Sequence, residues 1–147
     1  MSSLKIPLFI SFLLAMVATG HAQMSRDNTR WTFEAKKKTG NQYDLIIHAG
    51  MEKGWHIYAM KPGGDGSLIV PSFSFDKNAK VKLTGNVKEK GKLISKVLIP
   101  GDPKINMYVG SVDYIQQATI TGTGAVTGEY TYQICNDNTC RRPQQKR

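Results

Sequence analysis

Trp31-Thr32-Phe33-Glu34-Ala35-Lys36, then Gly40-Asn41, then Tyr43-Asp44-Leu45-Ile46-Ile47-His48-Ala49 is the stretch whose reading decides the fold. In the first segment Trp31, Phe33 and Ala35 alternate with Thr32, Glu34 and Lys36, the period of a strand with one face buried. Gly40-Asn41 marks a hairpin turn, because both residue types tolerate positive φ. The return strand places Tyr43, Leu45, Ile47 and Ala49 on one face and Asp44, Ile46 and His48 on the other. Outward from this hairpin the same period continues. Trp55-His56-Ile57-Tyr58 is a short aromatic strand after Gly54. Further strands are expected at Pro71–Phe75, Lys80–Leu83, Leu93–Ile99, Val112–Thr121 and Glu129–Cys135. Lys61-Pro62-Gly63-Gly64-Asp65-Gly66 and Pro100-Gly101-Asp102-Pro103 are loops by composition. No stretch repeats apolar residues at helical spacing over three turns. Many short strands at this spacing in a chain of 147 residues predict an all-β sandwich with little helix.

The N-terminus has a different grammar. Lys5 precedes an apolar run from Ile6 to Val17, and Gly20-His21-Ala22 presents small residues at −3 and −1. This is the pattern of a secretory signal cut before Gln23. The run falls short of the roughly 20 residues that a membrane-spanning helix needs. The mature chain, residues 23–147, is therefore expected to be one exported, soluble domain. Twenty Lys and Arg against eleven Asp and Glu give a formal net charge of +9. An exported chain seldom meets nucleic acid, and the bases lie scattered along strands, apart from Lys36-Lys37-Lys38 and the tail Arg141–Arg147. Solvated faces account for the excess, and no nucleic-acid partner is expected.

The two cysteines, Cys135 and Cys140, flank Asn136-Asp137-Asn138-Thr139. In an exported chain such a pair predicts a disulfide, either a staple or a reagent. Closing so short a loop removes only about 2 kcal/mol of unfolded-state entropy, against about 4.7 for a loop of about a hundred residues. The bond is poorly placed as a staple and well placed as a small ring that opens and closes. Copper is a further option, since His48, His56, Cys135 and Met107 supply the ligand types. No His or Met follows either cysteine, however, so the usual clustered ligand loop is missing. No Ser-His-Asp arrangement, carboxylate pair or phosphate-cradling loop stands out.

Four segments carry a resemblance: Trp31-Thr32-Phe33-Glu34, Gly54-Trp55-His56-Ile57-Tyr58, Tyr108-Val109-Gly110-Ser111-Val112, and Tyr132 through Cys140 with Pro143 after it. In this order and spacing the chain resembles the N-terminal domain of the thiol:disulfide interchange protein DsbD, from about Thr29 to Pro143. The resemblance implies an immunoglobulin-like β-sandwich in the periplasm whose two cysteines cycle between dithiol and disulfide. It implies electrons received from a membrane-embedded donor and passed to periplasmic thioredoxin-like proteins, a protein-disulfide reductase or interchange activity. It also implies a cap loop whose aromatic residue covers the cysteines, a position matched here by Tyr108. Trp55 and Tyr58 are expected as core or site wall.

Two departures are visible. Cys140 is followed by Arg141-Arg142-Pro143 where the family often has an apolar residue and two prolines. The sequence runs to Arg147 without a membrane or thioredoxin domain, so either the electron donor is expected to be a separate protein or the domain is expected to serve another purpose.

By resemblance and by the charge of the adjoining arginines, Cys140 is expected to attack and Cys135 to resolve. Asp137, inside the ring, pulls the thiol pKa the other way. The pair carries its own two electrons, so no cofactor or metal is expected. A non-catalytic immunoglobulin-like binding module with a structural Cys135–Cys140 bond remains the alternative.

Overall fold

The computed structural model describes residues 26–147, and the expected export signal lies outside them. The described residues form nine strands and no helix. β1 (Thr29–Lys37) and β2 (Gln42–Met51) are the hairpin anticipated from the alternation, with Trp31 opposite Ala49 and Phe33 opposite Ile47. Leu45, Ile47 and Ala49 are buried, while His48 on the other face is exposed. At the turn only Gly40 takes positive φ, at 55°; Asn41 does not.

β3 (His56–Tyr58), β4 (Ser72–Phe75), β5 (Val81–Lys96) and β6 (Ile105–Ile120) follow, then β7 (Gly128–Tyr132), β8 (Ile134–Cys135) and β9 (Gln144–Lys146). The six-stranded sheet runs β1-β2-β6-β3-β8, with β5 along the other side of β6. The three-stranded sheet runs β4-β7-β9. β6 organises the larger sheet because it changes partner midway. Ser111 to Thr119 pair with β2 and Met107 to Val109 pair with β3, with Gly110 at φ 75° between them.

Two expected strands, Lys80–Leu83 and Leu93–Ile99, prove to be the ends of the single strand β5. The joining residues are rich in Lys and Gly and pack on one side only, so the sequence shows no clean alternation there. Lysines along a strand that has a partner on one side alone also discourage further pairing. Val97, Leu98 and Ile99 lie beyond the strand and are exposed.

β5 stays in contact with β6 through register shifts between Thr84 and Lys88 and between Gly91 and Lys92. A Cβ at Gly91 would stand 2.6 Å from the Ser111 carbonyl oxygen and 3.0 Å from the Val112 Cα. Both neighbours are backbone and cannot swing aside. Gly91→Ala is therefore expected to cost about 1–3 kcal/mol, as overpacking does. It should lower the urea midpoint without changing the slope, and an unchanged midpoint would show that the two strands part freely here.

Aromatic side chains fill the space between the sheets. Trp31 of β1 meets Tyr130 and Tyr132 of β7, each at 4.7 Å between ring centroids, and Phe73 of β4 meets Tyr114 of β6 at 4.6 Å. Ile47, Ala49, Ile57, Tyr108, Val112 and Ile134 complete this inter-sheet core. A second cluster lies on the other face of the six-stranded sheet. Tyr58, Ile105, Met107 and Cys135 form it, and Leu68, Val70 and Ile94 pack against it.

The tail differs from its expected reading as a solvated run. Lys146 pairs with Asp27 and lies over the Tyr132 ring, while Arg147 bonds Asp76 at 2.7 Å. β9 pairs antiparallel with β7 along Tyr130–Tyr132. Sequence periodicity could not show this, because the partners are distant carboxylates.

Candidate functional site

Cys135 is the last residue of β8, and β8 pairs with β3 so that Cys135 stands opposite His56 and Ile134 opposite Ile57. Side chains directly opposite in an antiparallel pair share a face, and the next pair along shares the other. Cys135 and His56 therefore belong to the outer face and Ile134 and Ile57 to the inter-sheet core, in agreement with their two clusters.

Cys135 and Cys140 are joined as a disulfide, with Cα atoms 4.0 Å apart. The ring between them is shaped by its own polar groups. The Asn136 side-chain carbonyl accepts the amide hydrogens of Asn138 at 2.9 Å and Thr139 at 2.8 Å. The Asn136 amide in turn donates to the Thr139 carbonyl at 2.9 Å. This Asx-type turn holds the ring through hydrogen bonds that do not involve the sulfurs. Arg141 N–H donates to the Ile134 carbonyl at 2.9 Å and Gln133 Nε2 to the Arg141 carbonyl at 2.9 Å, so the exit of the ring is fixed as well.

The two sulfur-bearing residues have unlike surroundings. Cys135 is 1% exposed among Tyr58, Ile105 and Met107, whereas Cys140 is exposed. Leu68 and Val70, from the connection between β3 and β4, lie against the cluster that holds Cys135. That connection contains the Pro-Gly-rich segment read from the sequence as a loop, and its packing against the cysteine cluster carried no sequence signal.

The charges around the ring are arranged differently from their sequence expectation. The Arg141 guanidinium sits over the Trp55 ring, 5.1 Å from its centroid. Trp55 packs on the inter-sheet core, which is the other face from Cys135. Arg142 is exposed. Asp137 accepts a bond from Lys96 Nζ at 2.7 Å, and that bond and charge hold its carboxyl below the usual range. The two groups set against each other in the sequence, an arginine and an aspartate, thus each have a partner of their own.

His56 is 6% exposed, with its ring edge-on to Tyr58 at 5.3 Å between centroids. Its Nε2 is buried without a hydrogen-bond partner. Burial pushes the imidazole below its ordinary pKa; Asp137 pulls it up and Lys96 pushes it down. Burial likewise raises the Tyr58 phenol. His56 is thus next to Tyr58, on the face that Trp55 does not share.

Of the residues matched to a site wall, Tyr58 is brought to Cys135 and Trp55 is brought to Arg141 instead. Tyr108, matched to the cap aromatic, pairs with Ile57 and Leu93 and lies in the inter-sheet core, on the face away from Cys135. The copper option finds no gathered ligands: His48 Nδ1 bonds Asp113 at 2.5 Å, along β6 from the Val109 that faces His56. Among the described residues no three His, Cys, Asp or Glu side chains are placed to hold a metal ion. No described helix is long and apolar enough to cross a membrane.

Among solved structures the fold is similar to that of the N-terminal periplasmic domain of ScsB from Proteus mirabilis, with a TM-score of 0.58 at 15% identity. The likeness covers 82% of this chain and 45% of that chain, so this chain spans less than half the length of that relative. It supports the immunoglobulin-like sandwich. A comparison with curated proteins finds no match. Residues 22–147, the two-sheet core and the cysteine ring together, match the family described as thiol:disulfide interchange protein DsbD, N-terminal, and the chain belongs to that family.

Proposed function

We propose that this chain is an exported, periplasmic thiol-disulfide exchange protein that passes electrons through Cys140 and Cys135 to thioredoxin-like partners. The observation that carries the reading is the asymmetry of the pair: one cysteine exposed, the other buried, in a ring shaped by Asn136. Exchange begins with a thiolate attacking a disulfide sulfur, and attack by a partner's bulk requires access. Cys140 has that access and is the attacking thiol, while Cys135 resolves the mixed disulfide. Access takes over the argument that the arginines made in the sequence, since Arg141 is engaged with Trp55. Tyr58 forms a wall of the site, and the connection carrying Leu68 and Val70 takes the covering role assigned from the resemblance to Tyr108. Electrons come from a membrane-embedded donor. The cysteine pair needs no cofactor for this chemistry.

A second reading has its own observation. Toward the Ile120 end of β6, away from the cysteines, a cleft of about 700 Å³ is lined by Phe33, Leu45, Ile47, Phe73, Phe75 and Tyr130 among others. Such a cleft would suit a binding module whose disulfide is structural. The reduction potential separates the two. Equilibration of the pair against glutathione or dithiothreitol buffers should give a value above about −300 mV; structural disulfides of secreted proteins lie below it. A value below that mark would favour the binding module.

A further inference from the structure

The exchange reading leaves one chemical problem inside the site. Once the disulfide is reduced, Cys135 is a thiol in an apolar cluster with Tyr58, Ile105 and Met107, against which Leu68 and Val70 pack. An apolar surrounding disfavours the thiolate, yet the thiolate is the form that must attack to close the ring. The side chain directly opposite Cys135 in the sheet is His56, more than nine-tenths buried, whose Nε2 has no partner. A buried polar atom without a partner costs free energy, so its retention calls for an explanation. Resting on the exchange reading, we infer that His56 is the proton acceptor of the resolving cysteine, taking the Cys135 thiol proton as the ring closes.

Cys140 thiolate attacks a disulfide, forming a mixed disulfide and releasing the first thiolate of the target. The Cys135 proton passes to His56 Nε2, and the Cys135 thiolate attacks the Cys140 sulfur. The Cys135–Cys140 bond forms as the mixed disulfide breaks, and the departing thiolate takes the proton from His56. The pair is oxidised by two electrons and the target disulfide is reduced by two. Run backwards, the same group returns the proton to Cys135 when a donor reduces the ring.

The groups facing His56 fit this use. Tyr58 is beside it on β3, and Val109 and Met107 of β6 are uncharged. From β5, Lys96 is paired with Asp137, and Lys92 stands beyond Val109. Leu68 and Val70 carry no charge. Burial favours the neutral imidazole over its charged form, and Nε2 is left without a hydrogen-bond partner.

The test uses glutathione disulfide as the target, so that it needs no protein partner. Reduced protein is mixed with it, and formation and loss of the glutathione adduct are followed by mass spectrometry across pH. Positioned proton transfer contributes typically about 10²–10⁴-fold, so His56→Gln should slow ring closure by about 10²-fold or more. The effect should fall on loss of the adduct rather than on its formation. In the unaltered protein the closure rate should be flat between about pH 7 and 8, because a neutral imidazole does not change there. Without a base it would climb about tenfold per pH unit, following thiol ionisation. Closure at an unchanged rate in His56→Gln, or a tenfold-per-unit climb in the unaltered protein, overturns the inference. The pH profile needs no variant, so the test survives a His56→Gln that does not fold. A potential below −300 mV would instead defeat the exchange reading, whatever the closure rate.

Discussion

A Cys135→Ser variant should accumulate a covalent adduct with an oxidised thioredoxin-like protein, and the Cys140→Ser variant should not. In the first, Cys140 is exposed and can attack, but no neighbouring thiol remains to displace the partner, so the mixed disulfide persists. In the second, the remaining thiol is Cys135, 1% exposed in a cluster with Tyr58, Ile105 and Met107, and a protein partner cannot bring a disulfide sulfur to it. The expected contrast is close to all-or-none on a non-reducing gel, with dithiothreitol removing the band. Both variants should remain folded. Loss of a ring this short costs about 2 kcal/mol of chain entropy, and Asn136 goes on holding the turn through its bonds to Asn138 and Thr139. Adducts from neither variant, together with unfolding of both at room temperature, would identify the bond as a staple. Equal trapping by the two would reverse the argument from access and with it the roles of attacker and resolver.

Tyr132→Ala should be the most destabilising single change considered. Tyr132 is fully buried between the sheets, 4.7 Å from Trp31 and 6.0 Å from Tyr130 by ring centroids. Its hydroxyl donates to Asp27 at 2.7 Å and accepts from Thr29 at 3.0 Å, and Thr29 in turn accepts the Trp31 indole hydrogen at 2.9 Å. Removing a buried aromatic ring costs about 3–5 kcal/mol, a large part of the 5–15 kcal/mol that holds a typical domain together. The melting temperature should fall by roughly 10–25 °C. Tyr132→Phe keeps the ring and forfeits the hydroxyl, so about 1 kcal/mol is expected, the usual net worth of a hydrogen bond. A loss below about 1 kcal/mol for the alanine variant would show that the sheets do not close over this residue.

The alternation in Trp31–Lys36 and Tyr43–Ala49 was enough to define β1, β2 and their turn, because a half-buried strand writes its burial directly into a period of two. The same holds for Tyr130 and Tyr132, which lead into Cys135. The family resemblance was also legible, since it rests on short segments in fixed order. β5 was legible only at its ends, where apolar residues remain; along Thr84–Lys92 its single partner β6 specifies it, not its own composition. β9 was illegible, because Gln144-Gln145-Lys146 shows no apolar alternation and its partners, the strand β7 and the carboxylate of Asp27, lie elsewhere along the chain.

The site divides in the same way. Sequence determined that two cysteines close a short ring at a strand end, with Asn136 beside the first of them. It could not decide which face each neighbour occupies. A one-residue difference in register moves a side chain through the sheet. Register across β8, β3 and β6 puts His56 and Tyr58 with Cys135, and sends Tyr108, Trp55 and the Arg141 guanidinium to the other face. Tertiary structure alone decided that Cys140 is exposed and Cys135 buried, because Cys135 lies in a cluster with Tyr58, Ile105 and Met107, against which Leu68 and Val70 pack from more than sixty positions away in sequence.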